Sequence, residues 1–335
     1  AARIRSIESK SDLDLAGKLM ALQSYGRIDE GYLNLISNDD IYNIDNLFNF
    51  ERWIKYKGDN LVAQHTAINW IRTVHEKTGE VLLKLFQKHC NKFDRICFTG
   101  GVALNVVWNT KLKKYFPNLF IPPHCADEGL SLGALEFLRR KHKLQKFNLK
   151  NFPYIQSDET TAVPSEKIIK DAAELLAPGK TVGWFQGHGE IGPRALGNRS
   201  ILMDPRLKDG KQKINKIKRR ENYRPFGASV MHDKGQEVFQ YYIDDPFMTF
   251  TSEIDEEKYP AIAHVDKSCR YQSVKDGLFY DLLKKFYEIT DCPILLNTSF
   301  NMYEQPIAAY DSQALELLSQ SELDCLVLGN FIFSR

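Results

Sequence analysis

Fourteen residues, GHGEIGPRALGNRS at 187–200, set two arginines among four glycines directly after TVGWFQ, an apolar run that reads as a buried strand. Glycine lets a backbone come close to a ligand, and Arg194 and Arg199 carry planar guanidinium groups that fork onto phosphate or carbamate oxygens. The chemistry implied is anion binding. Gly187, Gly189 and Gly192 match G-x-G-x-x-G, but Pro193 follows at once and no acidic residue about 20 positions on closes a second strand. A dinucleotide fingerprint is therefore not expected. The plainer alternative is a tight turn whose two arginines pair with surface carboxylates.

Three further constellations follow the same logic. KQKINKIKRRENYRPFGASV at 211–230 concentrates cations. Lys211, Lys213 and Lys216 read as a solvated helix face, whereas Lys218, Arg220 and Arg224 lead into Pro225-Phe226-Gly227 and an apolar strand, where charge is placed for a ligand. PILLNTSFN at 293–301 ends a buried strand in Asn297, Thr298, Ser299 and Asn301. Short polar side chains at the carboxyl end of a strand line ligand sites in α/β sheets, and they also cap helices. FTGGVALN (98–105) and CADEGLSLGA (125–134) each place a turn between a short strand and a helix. Gly100 and Gly101 suit close approach of a nucleotide; Asp127 suits either a metal ion or the dipole of the helix it opens. No HxxxH or HExxH spacing accompanies it.

The elements that must position these residues fall into two halves. Residues 60–90 carry apolar positions at helical spacing, interrupted near Lys77–Gly79, and predict one or two long helices. Strand, turn and helix then repeat through residue 143, an α/β pattern. Residues 144–165 lose periodicity and gain Asn, Pro, Ser and Thr, which puts a domain boundary there and divides the chain into 1–150 and 151–335. After a helix in EKIIKDAAELLAPGK, strands are expected at TVGWFQ, SILMD, GASVM, FMTFT, CRYQSV, PILLN and DCLVLG, with helices near 209–219, 276–289 and 306–319. Strands outnumber helices, so this half is expected to be α+β.

Bulk properties narrow the partners. The 335 residues are 43% hydrophobic and 26% charged with a net charge of +2, which excludes a general nucleic-acid or membrane coat and makes any basic site local. Cys90, Cys97, Cys125, Cys269, Cys292 and Cys325 form no CxxC pair and sit mostly in apolar runs, as thiols of a reducing compartment do. No apolar segment approaches the roughly 20 residues of a membrane helix. A cytoplasmic protein is expected.

Taken in order, TGGVALN (99–105), DEGLSLGA (127–134), GWFQGHGEIGPRALGNRSILMDPR (183–206), KRRENYRPFGASV (218–230), HVDKSCRYQSV (264–274) and LLNTSFNMYEQPI (295–307) resemble the carbamoyltransferases of the nodulation, cephalosporin and tobramycin type. The resemblance runs from about residue 17 to the end. It implies an amino-terminal part similar to the ASKHA (sugar kinase/actin-like) fold and a carboxyl-terminal YrdC-like α+β domain. It also implies ATP and carbamoyl phosphate as substrates, Mg2+, and carbamoyl adenylate formed in the second part and transferred to a hydroxyl of a small-molecule or glycan acceptor. Matched position by position, Arg194, Lys218 and Arg224 would be catalytic. Gly187, Gly189, Arg199, Arg220, Asn297 and Ser299 would complete the carbamoyl phosphate and ATP site, Gly100, Gly101 and Asn105 would hold the adenylate, and Asp127 would bind Fe2+ or another divalent metal. Family members carry a further lobe, with a histidine pair, before the equivalent of GKLMALQSYG (17–26). That lobe is expected to be missing here, leaving Asp127 without its partners. The resemblance favours a homodimer and no nucleic-acid partner; the alternatives are an RNA- or nucleotide-binding module without turnover and an inactive remnant.

Overall fold

A computed structural model describes residues 12–42, 61–147, 149–156, 162–302 and 304–335. The chain divides into two compact units, Ala1–Ile96 with Lys111–Leu119, and Cys97–Thr110 with Phe120–Arg335.

The first unit is helical where described. Helices α1 (Asp12–Leu22), α2 (Glu30–Leu35) and α3 (Asn38–Tyr42) precede α4 (Leu61–His89), a single helix of 29 residues. The interruption expected near Gly79 does not occur. One glycine costs a helix only about 1 kcal/mol, which the contacts along α4 offset. The backbone N–H groups of Arg27 and Asp29 donate to Asn69 Oδ1 and Thr73 Oγ1 of α4 at 2.9 and 3.0 Å. Ile36 and Trp70 form the buried apolar contact between these segments.

The second unit is built on a mixed sheet of eight strands among the described residues, in the order β12-β11-β4-β6-β10-β7-β9-β8. These are β4 (Val182–Phe185), β6 (Arg199–Met203), β7 (Gly227–Met231), β8 (Thr251–Glu253), β9 (Ser268–Val274), β10 (Ile294–Ser299), β11 (Cys325–Leu328) and β12 (Phe331–Ser334). The pairs β11–β4 and β7–β9 are parallel; β4–β6, β6–β10, β10–β7, β9–β8 and β11–β12 are antiparallel. Every residue of β4, β6, β7 and β11 is buried, which is why β4 and β11 read as continuous apolar runs rather than alternating ones, while β6 and β7 bury Arg199, Ser200 and Ser229 among apolar neighbours.

Helices α7 (Glu166–Leu176) and α10 (Gly277–Thr290) pack on each other and on the sheet. Their buried positions, Ile169, Ala172, Ala173 and Leu176 on one and Phe279, Leu282, Leu283 and Phe286 on the other, repeat at the i, i+3, i+4, i+7 spacing of a single helical face. Two smaller helices complete the sheet layer, α8 (Gly210–Ile217) and α11 (Asp311–Gln320), with the single turn α9 (Gly235–Val238) between them. The run FMTFT is not a strand over its length. Asp245 accepts the N–H groups of Phe247, Thr249 and Phe250 at 3.0, 2.6 and 2.9 Å and winds those residues into a loop, so β8 begins only at Thr251.

The strand–turn–helix repeat seen in the sequence is present in abbreviated form. Strands β1 (Ile96–Cys97) and β2 (Leu119–Phe120) are two residues long, and helices α5 (Val106–Tyr115) and α6 (Leu130–Lys141) follow their respective turns. Two further short strands, β3 (Tyr154–Gln156) and β5 (Gly189–Glu190), pair antiparallel beside the glycine-rich loop.

Candidate functional site

The loop 187–200 is shaped from within by one carboxylate. Glu190 is 3% exposed, and its Oε1 accepts the backbone N–H groups of Leu196, Asn198 and Arg199 at 2.8, 2.7 and 3.1 Å. Three amides of the loop are thus turned inward, away from any ligand. Two glycines are required by crowding and by backbone shape together. Gly192 (φ +105°) would put a Cβ 2.2 Å from the Pro123 carbonyl oxygen, and Gly197 (φ +111°) would put one 2.2 Å from the Phe279 ring. Gly187 has open space where a side chain would begin, its nearest neighbour being Asn198 Nδ2 at 3.5 Å, while Gly189 is buried in β5 opposite Gln156.

The two arginines of the loop differ in environment. Arg199 is 1% exposed, lies 3.7 Å over the Phe185 ring, and donates from its Nη atoms to the carbonyls of Gln186, Gly187 and Asn198. It ties the loop to the end of β4. Arg194 is partly buried in the electrostatic field of Glu128, Cys125 and Arg224, and desolvation lowers its pKa.

Arg224 and Arg270 lie in the electrostatic field of Arg194, and they in turn lie in that of Lys218 and Arg220 respectively. Lys218 is 4% exposed, and its Nζ reaches the Ser299 carbonyl and Oγ at 2.6 and 3.1 Å and the Asn301 carbonyl and Oδ1 at 2.9 and 2.7 Å. Burial, with Arg220 and Arg224 nearby, pushes its pKa well below the usual lysine value. Arg220 lies 4.2 Å over the Phe226 ring and donates to Asn215 Oδ1 and the Pro225 carbonyl. Arg224 has a long ion pair, 3.8 Å, with Glu221. Arg270 was not singled out by the sequence reading. Its Nε is buried without a hydrogen-bond partner, and desolvation together with Arg194 and Arg220 holds its pKa well below the usual arginine value. The signal for it lies in SCRYQSV: Arg270 and Gln272 alternate with Tyr271 and Ser273, putting two large polar side chains on one face of a strand inside an apolar sheet.

A buried polar network fixes this ground. Gln272 Nε2 donates to the Leu196 carbonyl at 2.7 Å, Ser229 Oγ donates to Gln272 Oε1 at 2.8 Å, and Asn297 Nδ2 donates both to Ser229 Oγ at 2.9 Å and to the Ala195 carbonyl at 3.2 Å. Strands β7, β9 and β10 therefore hold the two residues after Arg194. Asn297 Oδ1 is left buried with no partner.

The remaining expected residues are exposed or play visible structural parts. A Cβ at Gly100 or Gly101 would meet nothing within 4 Å, so packing does not require either glycine. The Gly100 N–H donates to the Cys125 carbonyl at 2.6 Å, and Asn105 Oδ1 accepts from Trp108 N at 3.2 Å, capping α5. Asp127 is exposed in the short 3-10 turn Asp127–Gly129 before α6. No cluster of three or more His, Cys, Asp or Glu side chains able to hold a metal occurs among the described residues. The basic run is divided mostly as its spacing suggested: Lys213 pairs with Asp324 at 2.9 Å and Lys216 with Glu322 at 2.8 Å, whereas Lys218 and Arg220 turn inward. Lys211, expected on the solvated face, is instead half-buried, and desolvation with Arg220 nearby lowers its pKa. No helix among the described residues is long and apolar enough to cross a membrane.

Comparison with known proteins adds a family. The model of the carbamoyltransferase C-terminus matches residues 173–335, and that of the carbamoyltransferase N-terminus matches residues 4–135. The chain belongs to the carbamoyltransferase family. Among curated relatives of this chain, the nodulation protein NolO of Bradyrhizobium diazoefficiens is 33% identical over 315 residues, 84% of this chain and 57% of NolO. An uncharacterized protein of Methanocaldococcus jannaschii is 31% identical over 369 residues, covering 95% of this chain and 68% of that protein. The carbamoyltransferase chain spans about half the length of the first curated relatives it matches, 51% and 57%. Among solved structures it is similar to a variant of P. abyssi Sua5 with a TM-score of 0.39 and 13% identity, over 50% of this chain and 47% of that one, too slight a likeness to carry an argument.

Proposed function

We propose that the cation cluster of the carboxyl-terminal domain, residues 151–335, binds carbamoyl phosphate and ATP and joins carbamate to the α-phosphate of ATP. The observation that carries this reading is a linked set of cations, Arg194 repelled by Arg224 and Arg270, Lys218 by Arg220 and Arg224, and Arg270 by Arg220, in which Arg270 Nε is buried with no partner. Like charges held together in a desolvated place repel, and a polyanionic ligand relieves that repulsion. Glu128, Asp245 and Glu221 supply three negative groups against five positive ones in this set.

The chemistry fits such a site. Hydrolysis of carbamoyl phosphate yields carbamate and phosphate. A carbamate oxygen then attacks the α-phosphorus, the bond to the β-phosphate bridging oxygen breaks, and pyrophosphate leaves with charge that fixed guanidinium donors stabilise. Arg194, Arg220, Arg224 and Arg270 supply those donors. Lys218 holds the end of β10, Ser299 and Asn301, against them. Arg199 is a scaffold in this reading, since backbone carbonyls occupy its Nη donors. Mg2+ would accompany ATP as part of the substrate. The amino-terminal portion, read as part of an ASKHA-like domain with the open glycines Gly100 and Gly101, would accept the adenylate and pass the carbamoyl group to a small-molecule or glycan hydroxyl.

The test is pyrophosphate–ATP exchange with and without carbamoyl phosphate. Exchange that requires carbamoyl phosphate and falls by about a hundredfold or more in Arg270→Gln or Arg194→Gln is expected. Exchange unaffected by both substitutions removes the site from the reaction.

A further inference from the structure

Helix α6 (Leu130–Lys141) presents its apolar stripe to solvent. Leu130, Ala134, Phe137 and Leu138 recur at the i, i+4, i+7, i+8 spacing of one helical face, and all are exposed, Leu130 by 69% and Phe137 by 67%. The half-buried positions of the helix are Leu132, Glu136 and Arg139, on the opposite side. A helix in water normally turns its charged side out and its apolar side in. Here the inward side holds an ion pair, Arg139 Nε to Glu136 Oε2 at 2.6 Å.

The apolar surface continues past the helix on a fixed backbone. Lys143 takes the left-handed conformation (φ +55°), and the N–H groups of Lys143 and Leu144 close the helix end on the carbonyls of Arg140 and Arg139 at 3.1 and 2.9 Å. Arg139 Nη1 donates to the Leu144 carbonyl at 2.9 Å, so Leu144 is held at both its N–H and its carbonyl. Leu144, Phe147 and Leu149 are all exposed. With Leu135, seven large apolar side chains are exposed between residues 130 and 149, a density beyond that of singly scattered surface residues.

Charge says what covers this surface. Residues 130–150 carry six Lys and Arg and one carboxylate, a net charge of +5 in a chain whose total is +2, which leaves −3 for the rest. The carboxylate, Glu136, is taken by Arg139 and Arg140 at 2.6 and 2.7 Å. Lys141 ends the apolar stripe, and Lys143 and Lys146 are exposed beside Leu144 and Phe147 in the chain. A second copy of the protein would bring +5 against +5, and a nucleic acid would leave the leucines and phenylalanines in water. The anionic face of a lipid bilayer takes apolar side chains into its acyl boundary and pairs cations at its headgroups.

We infer that α6, with Leu144, Phe147 and Leu149, is a docking surface for an anionic membrane, the apolar side chains entering the acyl boundary and the lysines and arginines reaching the headgroups. The contact is peripheral, because α6 has 12 residues and lies in the interface rather than across it. It shares no residue with the proposed reaction site and stands whether or not that reading does.

Co-sedimentation of the full chain with vesicles of phosphatidylcholine alone, and of phosphatidylcholine with phosphatidylglycerol in a roughly three-to-one ratio, tests it. Binding to the mixed vesicles about tenfold or more tighter than to phosphatidylcholine is expected, and it should weaken as salt is raised. Phe137→Ser with Leu138→Ser, and separately Lys143→Glu with Lys146→Glu, are each expected to weaken it about tenfold. All four side chains are exposed, and an unchanged urea transition shows that both variants fold. No binding to the mixed vesicles, equal binding to the two compositions, or binding indifferent to both double substitutions overturns the inference. So does a concentration-dependent dimer that Phe137→Ser with Leu138→Ser dissociates, since a second copy would then cover this face.

Discussion

Glu190 shows how one side chain can decide what a glycine-rich loop is for. Read from its composition, GHGEIGPRALGNRS offers backbone N–H groups to a phosphate; in the fold, three of those groups belong to Glu190 Oε1. In the proposed reading an anion is left to the guanidinium of Arg194 and its neighbours. Glu190→Ala is expected to cost about 3 kcal/mol in urea denaturation, since it strands two buried amides and a half-buried one, whereas Glu190→Gln keeps an acceptor and should cost less than half as much. Equal losses in the two variants would mean that the carboxylate's charge, not its acceptor geometry, shapes the loop. The residues that could be named from the sequence alone were those in conspicuous company: Arg194, Lys218, Arg220 and Arg224 stand among glycines or other cations. Arg270 stands in a strand, and nothing in SCRYQSV says which strands will flank it.

At the scale of elements, most strands and helices were legible because burial imposes a period. The buried faces of α7 and α10 repeat at helical spacing, and β4 and β11 are uninterrupted apolar runs. The segment FMTFT misled because an aromatic and β-branched composition favours a strand, while Asp245, two residues upstream of it, accepts its N–H groups and bends it. The same aspartate makes a pH prediction. Burial raises its carboxyl from 3.8 to about 6, so the folded state binds this proton more tightly than the unfolded chain does. The stability contributed by this group is full below about pH 4 and is lost as pH rises through about 6, by up to roughly 3 kcal/mol. Asp245→Asn should flatten that part of the stability-against-pH curve in urea titrations between pH 4 and pH 7. A slope unchanged in the variant would place the titrating group elsewhere.

For the whole molecule, the large apolar cluster runs from Ile169 to Leu328 and is drawn entirely from the carboxyl-terminal part of the chain. Residues 149–335, which retain β3 against β5, are therefore expected to fold alone as a cooperative unit, checked by a single urea transition and dispersed amide resonances. An unfolded or molten fragment would show that the preceding segments of the same compact unit, including Pro123 against Gly192, are needed for more than covering the loop.

The sequence by itself determined the local matters: where most strands and helices lie, that the interior is apolar, and which family the order of its motifs resembles. Those follow from side-chain type and short-range periodicity, which act over a few residues. Tertiary structure decided which of the polar residues meet. Arg270, Gly227 and Asn297 are separated by 43 and 70 positions along the chain, yet parallel pairing on one side and antiparallel pairing on the other set them in one row. Strand order and register depend on the packing of the whole sheet, and no local pattern encodes them.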